Sequence, residues 1–114
     1  MKATPLDRLQ HAFEAISEIE TLLSQHTYEH IKKSALMRAA FERFLEIISE
    51  ASRHFPDLWK ATEPTIPWRE IAALGNIIRH AYDGIDFDRL WLVANDDLPV
   101  LKSALLRLQS QSSQ

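Results

Sequence analysis

Apolar residues recur every three or four positions along most of the chain, which is the spacing of an amphipathic α-helix. The first such run predicts a helix of roughly 20 residues, and its apolar positions are Leu6, Leu9, Phe13, Ile16, Ile19 and Leu23. A second run has two apolar stripes, the first being Met37, Phe41, Phe44, Ile48, Ala51 and Phe55 and the second Leu36, Ala40 and Ile47. Two stripes indicate that this helix packs on two sides, so we expect it at the centre of the fold.

Proline and glycine divide the next part of the chain. Pro56 and the segment EPTIP (63–67) leave room only for a short helical turn at about 57–61. A proline in the first turn then favours a helix over about 67–83, ended by Gly84.

Two further helices are predicted towards the C-terminus. Asp86 can cap a short helix that runs through Leu92. The segment NDDLP (95–99) is expected to start the last helix, which runs to about Leu108, with a frayed tail at about 109–114.

Composition narrows the class of fold. With 114 residues, the sequence predicts one domain, 1–114, and its 46% apolar and 25% charged residues are typical of a globular protein. Only two glycines are present, and β-branched runs are few, which argues against a sheet. We therefore expect an all-α, up-and-down antiparallel bundle of about four to six helices.

Charge and hydropathy limit location and partners. The first residues lack the apolar core of a signal peptide, and no apolar run approaches the roughly 18 residues that span a bilayer, so a soluble cytoplasmic protein with no membrane partner is expected. No cysteine is present, which excludes disulfides. With 13 basic and 16 acidic residues, the net charge is −3, so any contact with RNA must be local.

The segment LGNIIRHAYDGID (74–86) holds the densest group of chemically capable side chains. On a helical wheel, the positions that face the core are Ile71, Leu74, Ile78 and Tyr82. A polar stripe lies opposite, formed by Arg69, Ala73, Asn76, His80 and Asp83. Such a stripe is compatible with a solvated face and with a functional site, and a histidine titrates near neutral pH.

Gly75 needs an explanation, since a glycine inside a helix costs about 1 kcal/mol relative to alanine. Helical side chains lean towards the N-terminus, so Arg79 is expected to lie over the turn that contains Gly75. The glycine then either seats this arginine or lets a neighbouring helix approach closely. The pattern of residues leaves both interpretations open.

Other residues indicate structural roles. His26 and His30 are four apart, but no H-E-x-x-H occurs, so we expect neither a metal site nor a cofactor. Glu46 and Glu50 are interpreted as an exposed acidic face. The large aromatic residues expected to anchor core or dimer packing are Trp59, Trp68 and Trp91.

Three segments together resemble the HepT-like branch of the HEPN superfamily: MRAAFERFLEIISEASRHFPDLW, PTIPWREIAALGNIIRHAYDGID and LWLVANDDLPVLKSAL. The resemblance runs from about Asp7 to Leu108, with PW-x2-I, N-x3-H-x-Y and DLP-x-L in the family's order and spacing. It implies a HEPN-like bundle that forms a homodimer. It also implies a metal-independent endoribonuclease toxin, which a minimal nucleotidyltransferase antitoxin neutralises by binding it or by adenylylating a tyrosine.

The family motif is R-x4-H-x-Y. His80, Tyr82 and the asparagine Asn76 match it, but Gly75 occupies the position of the arginine. The resemblance implies that the histidine acts on the RNA 2′-hydroxyl or the leaving oxygen, while an arginine stabilises charge on the phosphate. We hypothesise that Arg79, one turn later, supplies that cation.

Five residues are candidates for the functional site. We expect His80 and Arg79 to be catalytic and Asn76 and Arg69 to bind RNA or support the site. Tyr82 is the candidate adenylylation acceptor from the resemblance alone. The helical wheel does not support this role, since it places Tyr82 among core positions. The alternative is a catalytically inactive HEPN homodimer that binds a nucleotidyltransferase, with the glycine in the motif marking lost catalysis.

Overall fold

The computed structural model of the protein describes residues 3–81 and 86–112, and these form helices joined by short turns, without a strand. The helices are α1 (Pro5–Gln25), α2 (Tyr28–Lys33), α3 (Ala35–Arg53), α4 (Asp57–Thr62), α5 (Trp68–Arg79), α6 (Phe87–Leu92) and α7 (Leu98–Ser112). A π-helical segment, Val93–Asp97, joins α6 to α7 without a break. The prediction of an all-α bundle is confirmed.

Local capping explains where the first helices begin. Thr4 and Asp7 form a reciprocal capping box at α1, in which each side chain accepts a hydrogen bond from the backbone N–H of the other residue. Thr27 and Ser34 accept from backbone N–H groups at the starts of α2 and α3. These polar residues therefore separate α1, α2 and α3, which otherwise follow one another closely.

The central position predicted for α3 is also confirmed, since α3 packs against both α1 and α5. The core contains side chains from α1, α3 and α7 that are at most 2% exposed, among them Leu9, Ile16, Ile19, Phe41, Leu45, Ile48, Leu101, Leu105 and Leu108. All three tryptophans are partly buried against this core, as expected. Trp91, for example, packs edge-on against Tyr28, with the ring centroids 5.2 Å apart.

One ion pair links α7 to the segment that connects α4 and α5. Arg107 donates to both carboxylate oxygens of Glu63, at 2.9 and 2.7 Å. The Glu63 residue is only 7% exposed. The hydrogen bonds from Arg107 lower the pKa of the Glu63 carboxyl below its ordinary value.

Two predicted boundaries, the ends of α5 and α7, were wrong. α5 ends at Arg79, because the backbone of His80 leaves the helical region at φ −109° and ψ 18°, whereas the sequence predicted a helix to about residue 83. The last helix does begin within NDDLP, at Leu98, but it begins without a break, because the π-helical segment continues the helical backbone from α6. α7 extends to Ser112, beyond the boundary predicted at Leu108. The stop predicted at Gly84 lies outside the described residues.

Candidate functional site at the end of α5

The two faces predicted for α5 are present. Ile71 and Leu74 are buried, and Ile78 packs partly buried against the core. The exposed side carries the predicted polar stripe as far as the structure describes it, namely Arg69, Ala73, Asn76 and His80. Asp83 lies outside the described residues. The helix thus presents a polar face at the surface while its other side holds the bundle together.

Gly75 lies buried where α5 meets α3. Its backbone N–H donates to Ser49 Oγ at 2.9 Å, and the Ser49 hydroxyl donates to the Ala72 carbonyl at 3.0 Å. A Cβ atom added to Gly75 would lie 3.0 Å from Ser49 Oγ. The glycine therefore allows the close approach of α3, which is one of the two interpretations left open by the sequence.

Gly75 also leaves space for Arg79, which is the other interpretation left open by the sequence. Arg79 folds back along α5, and its Nη1 would lie 3.2 Å from a Cβ atom on Gly75. Its Nη2 donates to Asn76 Oδ1 at 3.0 Å. The guanidinium of Arg79 therefore lies over the turn that contains Gly75, as the helical geometry predicted.

His80 follows directly and caps the C-terminus of α5. Its backbone N–H donates to the Asn76 carbonyl at 3.1 Å, and the residue is exposed. Arg69 lies ten residues before Arg79, about 15 Å back along the helix axis, so it belongs to the other end of the same face. Asn76, Arg79 and His80 thus form one group at the end of α5. Tyr82 lies outside the described residues.

Glu46 also lies at this site, which the sequence did not predict. It was expected on an exposed acidic face, but its side chain is only 15% exposed because it lies between two arginines. Its Oε1 is 2.7 Å from Arg43 Nη1, and its Oε2 is 3.5 Å from Arg79 Nη1. The i, i+3 spacing of Arg43 and Glu46 could have indicated the first contact. The second contact joins α3 to α5 and needed the fold.

Glu50 behaves as expected of an exposed acidic residue. Its side chain is 49% exposed and lies 3.1 Å from His54 Nε2. The hydrogen bond with His54 lowers the pKa of the Glu50 carboxyl, and the nearby arginines Arg53 and Arg79 contribute in the same direction.

Neither a metal site nor a membrane span is found in the described part of the chain. His26 and His30 approach each other, with their Nδ1 atoms 3.3 Å apart. Within residues 3–81 and 86–112, however, no group of three or more potential ligands is placed to hold a metal ion. None of the helices found there is long and apolar enough to cross a bilayer.

The arrangement is therefore an all-α bundle that places a histidine beside an arginine at the exposed end of a helix. These are the groups that acid–base chemistry on a phosphodiester requires, one to move a proton and one to stabilise negative charge. Residues 12–108 match the family described as Ribonuclease HepT-like. The chain belongs to this family.

Individual relatives agree with the family assignment. The chain is 37% identical to "Probable ribonuclease HepT" of Thermococcus cleftensis, over 96% of this chain and 99% of that protein. It is 33% identical to a protein of Methanocaldococcus jannaschii named as a candidate RNase, over 82% and 86% of the two chains. A candidate RNase of Caldanaerobacter subterraneus is 27% identical over 87% and 88%. No solved structure matches the chain.

Proposed function

We propose that the protein is a metal-independent endoribonuclease, acting in the cytoplasm as the toxin of a toxin–antitoxin pair. The observation that carries this proposal is the position of Arg79, whose guanidinium lies over Gly75 and directly precedes the exposed His80. A cation thus leaves the same end of α5 as the histidine, one residue before it in the chain, although the motif position itself holds a glycine. The family assignment and the RNase names of the relatives support RNA as the substrate.

The proposed reaction is an internal phosphoryl transfer within RNA. The 2′-hydroxyl loses a proton and the leaving 5′-oxygen gains one; His80 carries out one of these two transfers and water the other. The 2′-oxygen attacks phosphorus and the bond from phosphorus to the 5′-oxygen breaks, leaving a 2′,3′-cyclic phosphate and a 5′-hydroxyl. The guanidinium of Arg79 binds the phosphate oxygens on which negative charge develops.

The supporting residues follow from their positions. Asn76 accepts a hydrogen bond from Arg79 and so limits the conformations of the guanidinium. Arg69, at the other end of the exposed face, is proposed to contact the RNA backbone about 15 Å away. Arg79 and Asn76 therefore act at the reacting phosphate, whereas Arg69 contributes to binding alone.

A homodimer is part of the proposal. Two copies of the site would concentrate positive charge that a chain of net charge −3 otherwise lacks. We expect light scattering on the purified protein to give the mass of two chains. A monomer with full cleavage activity would contradict this part of the proposal without affecting the assignment of the site.

The proposed antitoxin is a minimal nucleotidyltransferase, with Tyr82 as the acceptor of the adenylyl group. The chain has one other tyrosine, Tyr28, whose hydroxyl is hydrogen-bonded to Asp88 and Lys32. After incubation with the nucleotidyltransferase and ATP, mass spectrometry should find the adduct in wild type and in Tyr28→Phe but not in Tyr82→Phe. An adduct on Tyr28 alone would reject Tyr82 as the acceptor.

Cleavage of a mixed RNA pool in the presence of EDTA tests the enzyme directly. Wild type should cleave, and Arg79→Ala and His80→Ala should each lose roughly 100-fold or more in rate. Arg89→Ala, which removes a charge from α6, is the matched control and should keep full activity.

Two results would change the proposal. Retention of full activity by Arg79→Ala would reject the displaced arginine. No cleavage by folded wild type, free of any adenylyl group, would favour a non-catalytic partner of a nucleotidyltransferase.

A further inference from the structure

Arg43 of α3 approaches the same carboxylate as Arg79 of α5. We propose that Arg43 and Arg79 together bind a backbone phosphate of RNA, with Glu46 as the positioning residue that holds the two guanidiniums side by side. This inference rests on the proposed function, because it assigns a further contact to the same RNA. Arg43 lies outside the motif that identified the site.

The geometry leaves most of both guanidiniums available. Arg43 uses Nη1 on Glu46 Oε1, and Arg79 uses Nη1 on Oε2 and Nη2 on Asn76. A guanidinium carries five N–H donors, so each arginine keeps several for a ligand. Two such groups converging on one point can bind the oxygens of one phosphate from two sides.

Burial shows which charge faces the solvent. The side chain of Glu46 is 15% exposed, whereas those of Arg43 and Arg79 are 66% and 39% exposed. The carboxylate therefore lies beneath the two cations. Glu50, which is 49% exposed, is a second carboxylate near Arg79, but Arg53 lies near it as well. Three arginines, Arg43, Arg53 and Arg79, therefore outnumber the two carboxylates at this surface, which carries a net positive charge.

The positive surface continues beyond Arg43. This residue also borders a groove between α1 and α3, whose polar lining includes Arg8, His11 and Glu50. Glu50 is the acidic member of that groove, and its carboxylate is hydrogen-bonded to His54. Cationic groups thus run from the end of α5 across α3 to α1.

A nucleic acid strand fits this surface better than a protein segment does. The cations are arginines, whose planar fork matches phosphate, and they lie in a row that a repeating anionic backbone can follow. Ile47 and Ala51 are the apolar side chains that line the groove. A strand that reaches His80 across α3 would therefore place one phosphate on the pair Arg43 and Arg79.

Binding is measured with a fluorescent oligonucleotide of twenty 2′-O-methyl uridines, which cannot be cleaved because its 2′-oxygen is blocked. Fluorescence anisotropy over a range of salt concentrations compares wild type with Arg43→Gln. The matched control is Arg89→Gln, which makes the same charge change on α6, where Arg89 lines a different groove beside Asp96 and Asp97. Circular dichroism and the Tm confirm that each variant is folded.

Loss of one phosphate contact should reduce the slope of log K against log salt by about 0.7, the value for a single strand. Arg43→Gln should therefore bind several-fold more weakly at low salt with this reduced slope, while Arg89→Gln resembles wild type. Equal binding by the two variants would overturn the proposal. A change confined to binding of the nucleotidyltransferase would do so as well, because the arginines would then serve a protein partner.

Glu46 is tested through the separation of KM from kcat. Glu46→Gln removes an anion, so KM for RNA should stay equal or fall, while kcat falls because the guanidiniums lose their fixed position. A merely structural role would lower the Tm and leave kcat per folded molecule unchanged, and that result would reject Glu46 as a positioning residue.

The two proposals fail separately. If the blocked oligonucleotide binds through Arg43 but wild type cleaves no RNA, the phosphate site stands and the enzymatic function falls. If wild type cleaves RNA while Arg43→Gln binds like Arg89→Gln, the function stands and the arginine pair falls.

Discussion

Replacing Gly75 by alanine tests why a glycine lies inside α5. The substitution adds one methyl group at the contact between α5 and α3. That methyl group would lie 3.0 Å from Ser49 Oγ, 3.2 Å from Arg79 Nη1 and 3.4 Å from Ser49 Cβ. The first contact decides the outcome, because the Ser49 hydroxyl is held by two hydrogen bonds and cannot move without weakening them.

Two effects of opposite sign combine. Alanine favours the helix by about 1 kcal/mol over glycine. The crowded contact costs about 1–3 kcal/mol as overpacking in a close-packed region, and the two hydrogen bonds of Ser49 contribute roughly 1 kcal/mol each that is partly lost. We therefore expect Gly75→Ala to lower the free energy of unfolding by about 1–2 kcal/mol, which lowers the Tm by about 5 °C.

The sign of the effect should reverse when Ser49 is also replaced by alanine. Without the hydroxyl, the nearest neighbours of the added methyl group are the flexible end of Arg79, at 3.2 Å, and the Cβ of residue 49, at 3.4 Å. Gly75→Ala should then stabilise the Ser49→Ala protein by about 0.5–1 kcal/mol, since the helix propensity remains and the crowding that is left is against the flexible end of Arg79, which can move. The resulting coupling energy is about 2 kcal/mol, within the range found for residues in contact.

Urea unfolding of the four proteins of this cycle measures the coupling. Ala73→Gly, on the exposed side of the same helix, is the matched control, because it reports the helix propensity without any crowding and should cost about 1 kcal/mol. Stabilisation by Gly75→Ala in both backgrounds would refute the reasoning. It would mean that Ser49 moves freely and that packing does not require the glycine.

Three further predictions concern stability. The folded-state pKa of Glu63 is lowered, so its pair with Arg107 stabilises the fold above the ordinary value of 4.5, and this stabilisation is lost as the pH falls from there through the folded-state pKa. Glu63→Gln should therefore unfold at a lower urea concentration than wild type at pH 7, and the difference should shrink as the pH is lowered below 4.5. A difference that does not change with pH would exclude this linkage. The Asp86 side chain accepts a hydrogen bond from the Arg89 backbone N–H at 3.3 Å and caps α6. Asp86→Ala should therefore lower the free energy of unfolding in urea by about 1 kcal/mol. An unchanged midpoint would show that the cap is dispensable. Ile48→Ala empties a site that is 2% exposed and should cost about 2–5 kcal/mol in the same assay, whereas a loss below about 1 kcal/mol would indicate a loosely packed core.

Local signals in the sequence were sufficient for much of the fold. Apolar spacing placed α1 and α3, and the residue type at position 86 placed the start of α6, because capping depends on a hydrogen bond within four residues. The end of α5 and the π-helical segment were not predictable in this way. The apolar pattern continues through both places, so it does not record where the backbone changes.

The same difference between local and long-range signals applies to the candidate site. The contact of Arg79 with Gly75 lies within one helix, so the direction of helical side chains was enough to predict it. Glu46 reaches Arg79 from another helix, 33 residues earlier in the chain. Its burial between two arginines depends on how α3 and α5 pack, and from its spacing alone Glu46 resembled any solvated glutamate.

The packing of α5 on α3 also supports the proposal that a cation at position 79 serves this site when position 75 holds none. A side chain at position 75 begins against Ser49, so an arginine there would have to displace two hydrogen bonds before its guanidinium reached the surface. One turn later, Arg79 begins at the exposed end of the helix and folds back into the space that Gly75 leaves. Glu46 and Asn76 then anchor the guanidinium while 39% of the side chain stays exposed. The glycine and the arginine are therefore parts of one arrangement, in which the same missing side chain admits Ser49 from α3 and Arg79 from α5.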